Sequence, residues 1–213
     1  FRGCSECGYV IYKKVDKMRY LIVCGGKIDK EFGLNEIKTD GIDAIIAADS
    51  GMDFLYENSV TPDIIVGDFD SATTKALEFF ERKGQTEIHR LNPIKDDTDT
   101  EYAIRLAISE GARSIVMLGA TGSRIDHVLG NISLLGIGLE SKTDISIIDT
   151  NNRIRMADKP VTIEKSAQYG RFVSLIAVTD DNEVSLRGFK YPVTDYSFDR
   201  FTSLGISNEI VDD

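Results

Sequence analysis

The sequence is short of the residues that build disulfide frameworks, metal knuckles and nucleic-acid surfaces. Its three cysteines, Cys4, Cys7 and Cys24, are too few for a disulfide scaffold in a chain of 213 residues. Cys4 and Cys7 have the spacing of half a zinc site, but no second CxxC follows and the only histidines are His89 and His127. Ordinary reduced thiols are therefore expected. Basic charge is also scarce: 25 Lys and Arg stand against 35 Asp and Glu, a formal charge of -10. That balance excludes the basic footprint needed to grip a phosphate backbone. No apolar run reaches membrane-spanning length and nothing reads as a signal peptide, so a soluble, cytoplasmic protein is expected.

What is present is a chain with 42% hydrophobic residues, enough to build a core. Phe1 opens it, and Met18 directly precedes the first apolar run. Residues 1–17 are therefore read as an extension ahead of the fold and set aside.

The stretch that organises the rest is Pro62-Asp-Ile-Ile-Val-Gly-Asp-Phe-Asp-Ser71. Residues 64–66 form an apolar run suited to a buried parallel strand, and Gly67 frees the backbone to turn. Asp68 and Asp70 follow with a period of two, which puts both on one side of an extended chain. At the carboxyl end of a strand such a pair suits a hard cation such as Mg²⁺. On this stretch alone a helix cap by Asp70 or Ser71, with Asp68 as a turn residue, explains the residues equally well.

Other strand ends repeat the pattern. Asp49 follows the apolar run 44–48, and Thr98 with Glu101 has capping-box spacing in front of a helix closed by Gly111. Three aspartates, Asp96, Asp97 and Asp99, crowd that helix start, more than one cap requires. The run 114–118 leads into Gly119-Ala-Thr-Gly-Ser-Arg-Ile-Asp-His127. Two glycines between a strand and a helix make a loop whose amides can face phosphate oxygens, and Arg124 adds a fork of donors. Asp126 could orient Arg124 or His127, or bind ribose. His89 alternates with apolar neighbours and reads as structural.

The alternating β and α segments up to about residue 149 predict a parallel sheet covered on both faces. Beyond it, the runs 161–163, 172–178, 183–186 and the segment around Val193 are short, β-rich and separated by turn residues. The expected fold class is α/β: an N-terminal parallel-sheet, three-layer domain over 18–143, then a small C-terminal β-sandwich over 144–213. A parallel sheet gathers Asp49, Asp68, Asp70 and Asp99 on one edge, where a divalent cation would offset their repulsion. The residues alone thus predict a metal-assisted phosphoryl or pyrophosphoryl transferase acting on a nucleotide.

Five ordered motifs, Asp49-Ser-Gly, Gly67-Asp-Phe-Asp-Ser71, Lys95-Asp-Asp-Thr-Asp99, Gly119 to His127 and Gly205-Ile-Ser-Asn208, resemble those of bacterial thiamine pyrophosphokinase. The resemblance covers residues 18 to the C-terminus. It implies diphosphate transfer from ATP to the thiamine hydroxyl, giving thiamine diphosphate and AMP. It also implies a homodimer with thiamine held between the N-terminal domain of one subunit and the β-domain of the other. On that resemblance Asp68, Asp70 and Asp99 are the expected Mg²⁺ ligands, Asp49 a fourth acidic member, and Asp96 a positioning group of the same loop. Gly119, Thr121, Gly122, Arg124, Asp126 and His127 are expected to handle the nucleotide, and Ser207 with Asn208 the thiamine ring. Arg124 is expected to offset charge on the transferring oxygens, and Asp70 or Asp99 to accept the hydroxyl proton. With no tryptophan, any stacking on the ring falls to Tyr or Phe. A sugar-nucleotide transferase, suggested by the DxD pattern of Asp68 and Asp70, or a non-catalytic nucleotide or thiamine sensor are the competing functions.

Overall fold

The computed structural model describes residues 18–69, 74–92, 97–122 and 124–211. Strands and helices alternate in order: β1 (Met18–Val23), α1 (Lys30–Ile37), β2 (Ala44–Ala48), α2 (Gly51–Glu57), β3 (Ile64–Gly67), α3 (Thr74–Lys83), β4 (Glu87–Arg90) and α4 (Asp99–Ser109). They continue through β5 (Ala112–Leu118), α5 (Ile125–Ser141), β6 (Asp144–Ile148) and β7 (Arg153–Arg155). The seven strands form one sheet in the order β4-β3-β2-β1-β5-β6-β7, parallel except for the last pair.

Period-two alternation divides the core between the two faces of this sheet. Ile22 pairs in register with Ile46 and Met117, and these side chains pack with Ala103, Ile104 and Leu135 of α4 and α5. Leu21, Val23 and Ile65 point the other way, onto Met52, Leu55 and Phe80 of α2 and α3. Both faces are covered, which is why β1 reads as a continuous apolar run. His89 is structural as expected: its ring meets the Tyr102 hydroxyl at 3.1 Å and Glu87 at 2.6 Å.

Several local expectations change. Helix α1 was not expected from its sequence, in which Gly33 and Asn35 obscure the helical pattern. Asp29 starts it by accepting from the Phe32 amide at 2.9 Å. Gly33 lets it pack, since a Cβ there would lie 2.6 Å from Ile28 and 2.7 Å from Phe54. Thr98 caps α4 through the Glu101 amide, but Glu101 turns its carboxylate to Arg105, so the capping box is half-made. The expected boundary at 143/144 falls in front of β6, whereas β6 and β7 hydrogen-bond into the first sheet. Continuing the apolar alternation for one more strand covers the edge of β5, so the change of character comes after Arg155.

Beyond that point β8 (Asn182–Leu186) and β9 (Val193–Phe198) form an antiparallel pair. The β-rich runs 161–163 and 172–178 form no strand among the described residues. The second is stitched by a single bridge, Val173 to Asn208, and by the Leu175 amide on the Gly205 carbonyl. Phe172, Ile176 and Val178 stay exposed, so no facing sheet supports a ladder there. Among the described residues no helix is long and apolar enough to cross a membrane.

Candidate active site

Strand β1 lies between β2 and β5, so the chain order reverses there. In open α/β sheets the crevice beyond the carboxyl ends of such strands is where ligands enter. Two glycine turns meet in it. Gly26 donates its amide to the Gly119 carbonyl at 2.9 Å, and a Cβ on Gly26 would stand 2.3 Å from that oxygen. Gly119 has φ 67, and a Cβ there would lie 2.5 Å from the Cys24 carbonyl. Only glycine fits either place. Gly26 is thus required by close backbone approach, whereas a Cβ on the preceding Gly25 would meet the Ser50 hydroxyl at 2.1 Å.

Parallel strands deliver the acidic residues to the same edge. Asp49 follows β2, Asp68 follows β3, and Asp99 opens α4. Each offers a carboxylate oxygen, and these three oxygens lie within 4.8 Å of one another, all half-buried. Asp49 is held with φ 48, its amide donating to the Val66 carbonyl at 2.8 Å. Phe69, between the two aspartates of the Gly67 turn, is also left-handed at φ 61, and its ring packs beneath the Arg90 guanidinium. Two non-glycine residues in this region within a few residues of the carboxylates mark stored backbone strain.

Asp49 is the most constrained of the three. Its Oδ1 is buried with no hydrogen-bond partner among the described residues. Burial lifts its carboxyl above the ordinary range, the charges of Asp99, Asp68 and Asp53 add to that, and the Ser50 backbone opposes it. Unit charges this close repel by roughly 1–4 kcal/mol per pair, depending on local dielectric. Three hard oxygen donors, one of them orphaned, fit a divalent cation of the Mg²⁺ class.

Beside them Cys24 is a free, buried thiol, pushed up to about 12 by burial and lined by the Thr100 hydroxyl at 3.8 Å. Burial keeps this thiol unreactive; Cys4 and Cys7 lie outside the described residues. So do Asp70 and Asp96.

The remaining expected residues divide. Gly119, Thr121 and Gly122 form the turn at the switch point. Thr121 donates its hydroxyl to Asp149 at 2.7 Å. Arg124 precedes α5 and pairs with Asp126, Nη2 to Oδ2 at 2.7 Å, and both are exposed, as is His127. The Arg124 hydrogen bond holds the Asp126 carboxyl below the usual range. Ser207 adopts φ 62, while Asn208 is buried, with its carboxamide accepting from the Tyr191 amide at 3.1 Å and donating to the Tyr191 carbonyl at 2.9 Å. Its amide group is thus occupied within its own unit.

Sequence reasoning missed Asp149, which follows β6 at the same edge. Asp149-Thr-Asn-Asn152 after an apolar strand was the available signal, an aspartate in front of two turn-forming asparagines. With Lys27, Phe32, Thr121 and Asn151 it lines a cleft of about 360 Å³.

Fold and site together define the class: a doubly wound α/β enzyme-type scaffold with a cation-competent acidic centre next to a glycine turn at its switch point. Residues 38–148 match the family model described as thiamin pyrophosphokinase, catalytic domain, and residues 160–213 that of the thiamin pyrophosphokinase vitamin B1 binding domain. A thiamine pyrophosphokinase of Bacillus subtilis (strain 168) is 35% identical over 168 residues, 78% of either chain. Among solved structures, a Bacillus subtilis thiamine pyrophosphokinase superposes with a TM-score of 0.80 at 32% identity, covering 91% of this chain and 90% of the other. A Geobacillus thermodenitrificans thiamin pyrophosphokinase gives 0.74 at 30%, covering 91% and 89%. The chain belongs to the thiamine pyrophosphokinase family and is an enzyme.

Proposed function

We propose that this enzyme transfers the diphosphate of ATP to the hydroxyl of thiamine, giving thiamine diphosphate and AMP, with Mg²⁺ as its cation. The observation that carries the reading is the trio of half-buried carboxylates, Asp49, Asp68 and Asp99, within 4.8 Å of one another, in a chain matching both family domains. Those three would hold the cation, joined by Asp70, with Asp96 of the same acidic loop positioning the metal or substrate. When bound, Mg²⁺ supplies neutralisation of the charge on the phosphate oxygens.

The chain's own groups supply positioning, which does most of the work in phosphoryl transfer. The thiamine hydroxyl oxygen bonds to the β-phosphorus, and the bond from that phosphorus to the α,β-bridging oxygen breaks. AMP leaves with the bridging oxygen, and the hydroxyl proton passes to a carboxylate, Asp70 or Asp99. The amides of the 119–122 turn face the phosphates. Arg124 is already in a two-point pair with a carboxylate, and phosphate offers its guanidinium the same geometry. Asp126 and His127 complete the nucleotide side.

Thiamine is assigned to the C-terminal unit. Ser207 presents its exposed hydroxyl there, and Asn208 holds the Ser207 segment against Tyr191 and Val173. Phe172, Ile176, Tyr191, Phe201, Leu204 and Ile206 of this unit are exposed, and this uncovered apolar area supports a homodimer, in a cytoplasmic enzyme, in which a second copy completes the thiamine site.

The test is AMP formation from ATP and Mg²⁺ with and without thiamine, using the wild-type chain and an Asp68→Ala/Asp70→Ala control. Thiamine-dependent AMP that the control abolishes is the expected result. Binding of both ligands without AMP would replace the enzyme reaction with a sensor's role, and absence of binding would overturn the assignment.

A further inference from the structure

Asp149 stands at the carboxylate-bearing edge, yet the proposed reaction gives it no part. Its Oδ1 accepts from the amides of Asn151 at 2.8 Å and Asn152 at 2.7 Å, and from the Asn152 side chain at 3.0 Å. Its Oδ2 accepts from the Thr121 hydroxyl at 2.7 Å. The Asp149 amide donates to the Asn152 carbonyl at 2.9 Å, closing the β6–β7 turn, and its carbonyl accepts from the Tyr169 hydroxyl. One residue thus touches three separate segments: the glycine turn, the β6–β7 connection and the chain leading into the C-terminal unit.

The number of donors matters because an ionised carboxylate filled on both oxygens has no rotational slack, and charge-assisted bonds are the stronger kind. The glycine turn has little else to hold it by its side chains. Gly119 and Gly122 have none, and Ala120 is engaged through its carbonyl by Asn131 at 2.9 Å. Thr121 is the turn's polar side chain, and its hydroxyl proton is committed to Asp149. Tyr169 falls within the segment that matches the vitamin B1 binding domain.

We propose that Asp149 is a positioning residue whose carboxylate fixes the glycine turn through Thr121 while its main-chain carbonyl takes the Tyr169 hydroxyl, registering the nucleotide and thiamine segments on one anchor. Its kinetic consequence rests on the diphosphate-transfer reading above; its structural consequence does not.

Two measurements separate these. Hydrogen exchange on the ligand-free full chain reads the anchor directly. In Asp149→Asn, exchange should rise about 10-fold or more at 119–122 while residue 169 keeps its protection, because Tyr169 is held by the main-chain carbonyl that the substitution retains. In Thr121→Val it should rise only at 119–122, in Tyr169→Phe only around residue 169, and Thr121→Ser should keep the wild-type pattern. Steady-state kinetics with ATP and thiamine reads the consequence. Thr121→Val should raise KM for ATP about 5- to 10-fold with KM for thiamine little changed, Tyr169→Phe should do the reverse, and kcat should move far less. Unchanged exchange at 119–122 in both Asp149→Asn and Thr121→Val overturns the proposal whatever the kinetics. A uniform rise that includes β1 and β5 also overturns it, because it means general destabilisation. Exchange as expected, with a wild-type chain that does not turn over ATP, supports the anchor and sinks the reaction instead.

Discussion

The two halves of this chain solve burial differently. In β1 the side chains of Leu21, Ile22 and Val23 are 1% exposed or less, sealed between helices on both faces of the sheet. In the C-terminal unit Ile176 is 73% and Phe201 88% exposed. The unit's ordering comes from backbone stitches, Val173 with Asn208 and Phe189 with Ile210, more than from a core. A parallel sheet with crossover helices encloses its own apolar surface, whereas a two-stranded antiparallel sheet has one face too many. The first half is therefore free to store strain and crowded charge at its edge, and the second leaves large apolar side chains uncovered.

The largest expected effect tests the first claim. Asp49→Asn should lower kcat/KM about 10³-fold or more if the acidic centre does the charge management proposed for it. The same change should leave the melting temperature level or raise it, because it removes one of three crowded charges and a buried carboxylate oxygen, Oδ1, that has no partner among the described residues. A large loss of stability with the loss of activity would show that the edge is structural.

Cavity-making substitutions break the comparison from the other side. Phe80→Ala, fully buried on the α2/α3 face, should cost about 3–5 kcal/mol in denaturant unfolding. Phe201→Ser, fully outside a core, should change unfolding by less than about 0.5 kcal/mol, yet shift a self-associating chain toward monomer in sedimentation. Equal destabilisation by both would erase the distinction between the halves.

Asn208→Ala gives a smaller effect within the second half. It leaves the Tyr191 amide and carbonyl without their side-chain partner, a loss of two partly buried hydrogen bonds that should cost about 1–3 kcal/mol together. Local exchange around Tyr191 should rise while β1 to β6 keep their protection. KM for thiamine should rise with it, since Ser207 adjoins the released residue.

Much of the first half was legible in the sequence, for a physical reason. An apolar run followed by glycine or aspartate states both the strand and where it ends, and parallel topology then puts every such end on one edge. Asp49, Asp68 and the Gly119 turn were found that way, and Asp99 from the acidic crowding at a capped helix start. Features set by long-range contacts were not legible. Gly33 and Asn35 hide α1 because a helix–helix contact, not propensity, selects Gly33. Asp149 looks like a turn residue until Thr121, 28 positions earlier, is seen to donate to it. The second half was read from composition, and β-rich composition states a preference for a pleated surface without supplying the partner strands. The Ser207-Asn208 motif shows the same limit, since sequence cannot tell an amide aimed at a ligand from one spent on Tyr191.

The smallest effect compares two carboxylates at one edge. Burial raises the Asp49 carboxyl, with Asp99 and Asp68 adding to it. Burial also works to raise Asp149, but the donors Thr121, Asn151 and Asn152 outweigh it and hold that carboxyl below the usual range. Linkage gives them opposite signs. A group raised on folding contributes stability at low pH that is lost as pH rises through its folded value. A depressed group contributes stability above the ordinary aspartate value, about 3.9, that is lost as pH falls through its lower folded value. Wild type should therefore melt above Asp149→Asn at pH 6, and the gap should shrink as pH drops below about 4, where the protonated acid comes to resemble the amide. For Asp49→Asn the gap should run the other way, with the variant gaining on wild type as pH rises from about 4 toward neutrality. Melting curves of the metal-free protein across that range read both. Parallel curves for the two variants would mean that the edge treats its carboxylates alike, and that Asp149's donors do not hold its charge in the way their geometry implies.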